Sequence, residues 1–311
     1  MKKVMLGFVA CAFVLTSCSQ NDILENTNEA NAISFSNLND RVTKAANDNT
    51  DDYAVYAIRS NATDVWFMNN IKVSGADDTY SPLQYWPTGG ATVNFYAFAP
   101  YPGGAVVSSA IADSLAFTYT VPTNADEDFT IATPVRGATS GGASTPVALS
   151  FNHMLTKITI EADLKQELKD AGYSITFASA TLGVPYKKGT GKLTTTPIVD
   201  LTAEKDTATY TGAKTYMFIP QISTGTTLQL NNVVINHNGV EYWSGDLKAY
   251  RVVTGNIAAD KFKRNTHYTI VFTIDQNADS PTDGPVFGEA IEFSSSVAAN
   301  WDSANVPVEQ P

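Results

Sequence analysis

The chain has 311 residues, 43% of them hydrophobic and 16% charged, with 31 acidic against 20 basic side chains and a formal net charge of −11. That balance disfavours nucleic acid, whose phosphates require a basic face, and it suits an exported, soluble surface protein. The only cysteines are Cys11 and Cys18, so the body of the chain has no disulfide scaffold, thiolate metal site or cysteine nucleophile, and it must fold by packing alone.

Lys2 and Lys3 precede an apolar run from Val4 to Leu15, about a dozen residues, which suits a signal-peptide core and is too short to span a membrane. The run closes on Leu15-Thr16-Ser17-Cys18, which resembles the bacterial lipobox, where the cysteine sulfur is acylated and becomes the first mature residue. Residues 1–17 therefore read as a lipoprotein signal peptide and Cys18 as the lipidated anchor. Several acyl chains, each methylene worth about 0.8 kcal/mol when buried, hold a protein at a membrane without a helix. Residues 18–31, polar and acidic, read as a solvated tether.

Strands follow. In "AISFSNL" Ile33 and Phe35 alternate with Ser34 and Ser36, and "NDRVTKAANDNTDD" then breaks into turn formers and charge. From Tyr53 the runs "YAVYAIRS", "VWFMN", "IKVSG", "TVNFYAFAP", "LAFTYTVP" and "DFTIAT" keep period two between Gly, Pro, Asn and Asp. A Gly- and Ser-rich run then marks a boundary, with residues 32–137 as a first β-sandwich domain, 138–145 as linker, 146–276 as a second sandwich and 277–311 as a tail. In the second set, Asn238-Gly239 predicts a tight hairpin turn. "DLKQELKDAG" predicts a short helix capped by Asp163 and stopped by Gly172. The fold class is all-β, two tandem sandwiches of transthyretin- or immunoglobulin-like type after the signal peptide and tether.

Catalytic signals are sparse. His153, His237 and His267 stand apart with no metal-ligand spacing, and they read as structural. "GTGKL" at 189–193 lacks the hydroxyl residue and first glycine of a phosphate loop, and it predicts a hairpin turn instead. Asp275, Asn277 and Asp279 begin a calcium-loop pattern, but Ser280 and Val286 replace its glycine and bidentate glutamate, so the segment reads as linker. No metal or cofactor is expected. Tyr85-Trp86 and Tyr242-Trp243 offer aromatics that could stack on sugars, or pack in the core.

Taken in order, "LTSC", the polar tether, "YSPLQYWP", "VNFYAFAPY", "LSFNHMLTKITI", "KTYMFIPQ", "HYTIVFTI" and "VAANWD" resemble the fimbrillin family, the lipoprotein subunits of type V pili. The resemblance covers nearly the whole chain and implies two sandwiches in series, no enzymatic activity, outer-membrane lipid anchoring and a place in a surface fimbrium that serves adhesion. It also implies that a trypsin-like protease cuts after a basic residue downstream of the first strand, and that a strand from another subunit fills the groove so opened. On this sequence the exchangeable strand carries Ile33 and Phe35, and the candidate cut sites are Arg41 and Lys44. Family members often carry Thr-Arg-Ala here, whereas this chain has Thr43-Lys44-Ala45, which shifts weight to Arg41 and leaves open an uncut anchor. The candidate donor strand is "EAIEFSSSV", with Ile291, Phe293 and Val297 on one face. Expected partners are other pilin subunits, the outer membrane through the lipid, and a host glycan or protein ligand. The alternatives are a surface carbohydrate-binding lipoprotein and a sandwich-fold glycan hydrolase.

Overall fold

The computed structural model describes residues 31–37, 51–59, 66–111, 114–122, 127–140, 145–194, 201–221, 226–249, 262–274 and 291–297. The calcium-like segment at 275–286 lies outside them.

The chain first forms β1 (Phe35–Asn37), β2 (Tyr53–Arg59), β3 (Met68–Val73), β4 (Val93–Ala99), β5 (Ala105–Ile111), β6 (Ser114–Thr120), β7 (Thr130–Ala132), β8 (Val135–Ala138), β9 (Val147–Leu149) and β10 (Phe151–His153). It continues through β11 (Thr156–Leu164), a helix α1 (Gln166–Asp170), β12 (Tyr173–Thr176), β13 (Ser179–Val184), β14 (Lys188–Leu193), β15 (Thr202–Glu204) and β16 (Ala208–Ala213). The last strands are β17 (Thr215–Phe218), β18 (Thr227–His237), β19 (Val240–Ala249), β20 (Thr266–Ile274) and β21 (Ile291–Val297). The protein is all-β, as its period-two runs predict.

The central sheet of the first sandwich has the order β10-β7-β4-β2-β3, with β8 beside β4. Every residue of β4 and all but the last of β2 are buried, because this sheet is covered on both faces. One face, carrying Tyr56, Tyr96 and Phe98, packs on Phe117, Tyr119 and Phe129; the other, carrying Tyr53, Val55 and Phe95, forms a separate core with Ile33, Phe35, Trp86 and Val147. In the second sandwich β17-β11-β20-β21 faces β12-β18-β13-β16, with β19 beside β18.

Hydrogen-bonded layers do not divide at the run 138–145. Beyond it, β9 and β10 return to pair with β1 and β7, and the β14–β15 hairpin extends the β5–β6 pair. Residues from β2 to β20 thus share one apolar cluster. Alternation tells which face of a strand is buried, but every strand offers the same backbone donors and acceptors to any neighbour.

Two local expectations change. The "GTGKL" segment is not a turn but β14, paired from Lys188↔Thr120 to Leu193↔Leu115. Its glycine has a packing role: a β-carbon on Gly191 would lie 2.4 Å from Cζ of the buried Phe117 ring. Asp163 does not cap the helix; it lies in β11, where its carboxylate accepts from Leu164 N–H and Lys169 Nζ, and α1 starts after Lys165 without a side-chain cap. Gly172 ends the helical turn at φ +88°, and Asn238 and Gly239 form the β18–β19 turn at φ +49° and +81°.

Candidate functional site

The first strand occupies a slot between two short edges. Ala32 bridges antiparallel to Tyr85, with Ile33 N–H donating to Gln84 C=O (2.8 Å) and Trp86 N–H to Asn31 C=O (3.1 Å). Farther along, β1 turns its other edge to β9 in a parallel register, Phe35↔Val147 to Asn37↔Leu149, and Val147 N–H donates to Ser34 C=O (2.8 Å). Alternation sends Ile33 and Phe35 inward, where they are 1% and 4% exposed. The Phe35 ring lies 5.8 Å edge-on from Phe95 and 5.5 Å from Tyr80. Burial of each side chain stabilises the slot by about 1.5–3 kcal/mol.

Two polar side chains hold the strand by its backbone. Tyr80 Oη donates to Ile33 C=O (2.8 Å) and accepts Gln84 N–H (3.1 Å). Asp78 Oδ2 accepts Asn37 N–H (3.2 Å), while Oδ1 accepts the Tyr53 hydroxyl (2.8 Å). Burial raises both phenols above their ordinary value, most strongly for Tyr53; both therefore remain O–H donors across the physiological range. Neither Asp78 nor Tyr80 was singled out from sequence. The "DDTY" run looks like an ordinary turn, and only the fold brings it to the strand's edge.

The other end of the chain supplies β21. Ile291, Phe293 and Val297 lie on this strand, which pairs antiparallel with β20 from Ile274↔Ile291 to Tyr268↔Val297 at the end of its sheet order. Cys18, Arg41 and Lys44 lie outside the described residues.

The histidines are dispersed. His153 Nδ1 contacts Asp128 Oδ2, His237 stacks on Tyr173 (4.3 Å between centroids), and His267 Nε2 lies 2.8 Å from Thr159 Oγ1, with burial lowering its proton affinity. Among the described residues no group of His, Cys, Asp or Glu is arranged to hold a metal ion. Each aromatic pair splits between layers. Trp86 is buried edge-on against Phe95 and Trp243 packs partly on the core, whereas Tyr85 and Tyr242 are 43% and 46% exposed. Period-two alternation separates the neighbours in each pair, so neither pair forms a continuous flat platform.

Residues 41–301 match the model of the fimbrillin-like family. No curated protein matches the chain. Among solved structures, a candidate cell adhesion protein from Bacteroides uniformis is 18% identical with a TM-score of 0.55, the alignment covering 87% of this chain and 98% of the other. A fimbrial protein from Bacteroides vulgatus is 15% identical with a TM-score of 0.53, covering 87% and 99%. At such identities these two structures speak for the fold alone.

Proposed function

The chain belongs to the fimbrillin-like family and is a fimbrial subunit of the cell surface, and from that premise we propose that it assembles by exchange of its first strand. In this reading the precursor is anchored at the outer membrane through acylated Cys18, and a cut after Arg41 or Lys44 frees residues up to that point. The vacated slot then receives a strand from another subunit. Its role is structural, without catalysis.

What supports the reading is the packing of one short segment. Ile33 and Phe35 belong to a small core distinct from the main cluster, closed on one side by β9 and on the other by residues 84–86. Removing that segment uncovers apolar pockets together with unpaired backbone groups on both rims, which is the surface that strand addition fills.

The test uses the mature chain with a site-specific protease sequence inserted after Lys44, so that cleavage is assured. Cutting is expected to convert a monomer into ladders or filaments visible by size-exclusion chromatography and electron microscopy. A chain that stays monomeric after a verified cut would exclude self-assembly by this route. Separately, Cys18→Ala is expected to abolish labelling by radioactive palmitate and to leave the protein soluble in the periplasm; equal membrane retention would remove the lipid anchor from the account.

A further inference from the structure

Along one edge β1 has a strand partner, β9, with which it forms a sheet of its own, and Val147 N–H donates to Ser34 C=O there. Successive residues of a strand turn their N–H and C=O to opposite edges. Those of Ile33 and Asn37 therefore face away from β9. The backbone of residues 84–86 meets that far edge at Asn31 to Ile33, and two side chains take over from it. Tyr80 Oη donates to Ile33 C=O (2.8 Å), and Asp78 Oδ2 accepts Asn37 N–H (3.2 Å). Side chains thus stand where a second neighbouring strand would, and they satisfy main-chain groups.

Both come from one short stretch that its own hydrogen bonds hold in shape. Ser74 N–H donates to Thr79 C=O, Asp78 N–H to Ser74 C=O, and Thr79 donates to Asp77 Oδ1 from its N–H and its hydroxyl. Asp78 takes φ +57°, a conformation that aspartate adopts more readily than most residues. Its second oxygen accepts the hydroxyl of the buried Tyr53 (2.8 Å). The same stretch is held from beyond the candidate cut sites as well: Asp52 Oδ1 accepts Gly75 N–H (3.2 Å), and Oδ2 pairs with Lys72 Nζ (2.6 Å). The chain leaves this turn at Asn37 and returns to it at Asp52, and Arg41 and Lys44 fall between. A cut after either residue severs the covalent path between the two anchor points and breaks neither contact.

Resting on the strand-exchange reading, we propose that Asp78 and Tyr80 form a main-chain latch that keeps the first strand in its slot after the cut. Cleavage and departure are then separate steps, and the latch sets the interval between them. The pockets hold the side chains of Ile33 and Phe35; the latch holds the backbone on either side of Phe35, at residues 33 and 37. A subunit cut before it meets a partner keeps its apolar slot covered, whereas an open slot with unpaired rims is prone to aggregate.

Release of the strand can be followed directly. A chain without residues 1–17 has Cys18 as its only thiol, so a fluorophore there marks the fragment. The protein is immobilised sparsely through a C-terminal tag, which prevents one copy from displacing another's strand, and is cut at the site inserted after Lys44. The labelled fragment is expected to stay bound after the cut and to leave slowly into flowing buffer. Tyr80→Phe with Asp78→Asn is expected to speed its release at least about tenfold, the scale of two lost hydrogen bonds. Asparagine keeps an oxygen for the Tyr53 hydroxyl, and phenylalanine keeps the ring that packs on Phe35. Tyr80→Phe alone is expected to speed release at least about threefold. Once emptied, the wild-type and double-variant bodies are expected to melt alike, because the latch acts only on an occupant.

Loss of the wild-type fragment as soon as the chain is cut would overturn retention. Equal release rates in wild type and double variant would overturn the part given to Asp78 and Tyr80, and so would faster release accompanied by an equally destabilised empty body, which marks a general loosening of the turn. A fragment that is retained and released as expected, from protein that then never assembles in solution, would support the latch and count against the strand-exchange reading instead.

Discussion

Phe35→Ala is expected to destabilise the uncut chain by about 3–5 kcal/mol, the cost of deleting a buried aromatic ring and leaving its cavity. The ring is 4% exposed and sits among Tyr80, Phe95 and Val147 in the smaller of the two cores. The assembled polymer should behave differently. If the first strand has been cut away and replaced, no copy of Phe35 remains in the structure, and filaments grown from cut Phe35→Ala subunits should melt with the wild type. Thermal melting of the uncut monomer and of purified filaments would give the two numbers. A mutant filament that is destabilised as much as the mutant monomer would mean that the first strand stays in place.

Phe293→Asp is expected to abolish assembly while the monomer remains folded. If β21 is the donated strand, this residue enters an apolar slot on the acceptor, and an unpaired carboxylate there costs several kcal/mol, enough to lower strand affinity by a factor of about a hundred or more. In the monomer it stands opposite Phe272 in the pairing of β21 with β20, so folding must be verified separately by circular dichroism. Phe293→Leu provides the control, since it keeps an apolar side chain and should retain filaments. Equal filament yield from the aspartate variant would place the donor strand elsewhere.

The elements of this fold were largely visible as alternation. "YAVYAIR", "VNFYAFA" and "THYTIVFTI" each became a strand, and Asn238-Gly239 became the β18–β19 turn because asparagine and glycine tolerate the positive φ it requires. The inward direction of Ile33 and Phe35 was visible on the same basis. Less visible was the burial of β2 and β4 on both faces, where Tyr, Phe and Ala occupy positions that a sheet covered on one side would give to polar residues.

Composition and period by themselves determined the class of the protein: an acidic, cysteine-poor, all-β chain whose first strand has one apolar face. They could not determine which strands meet. That β9 closes the slot around β1 from more than a hundred residues away, that β14 lies beside β6, and that Asp78 and Tyr80 reach the backbone of the first strand were decided only in three dimensions. Side-chain alternation is a local property, carried by neighbours two residues apart. Backbone pairing is the same chemistry at every strand, so the choice of partner comes from how the whole set of apolar faces can be covered at once.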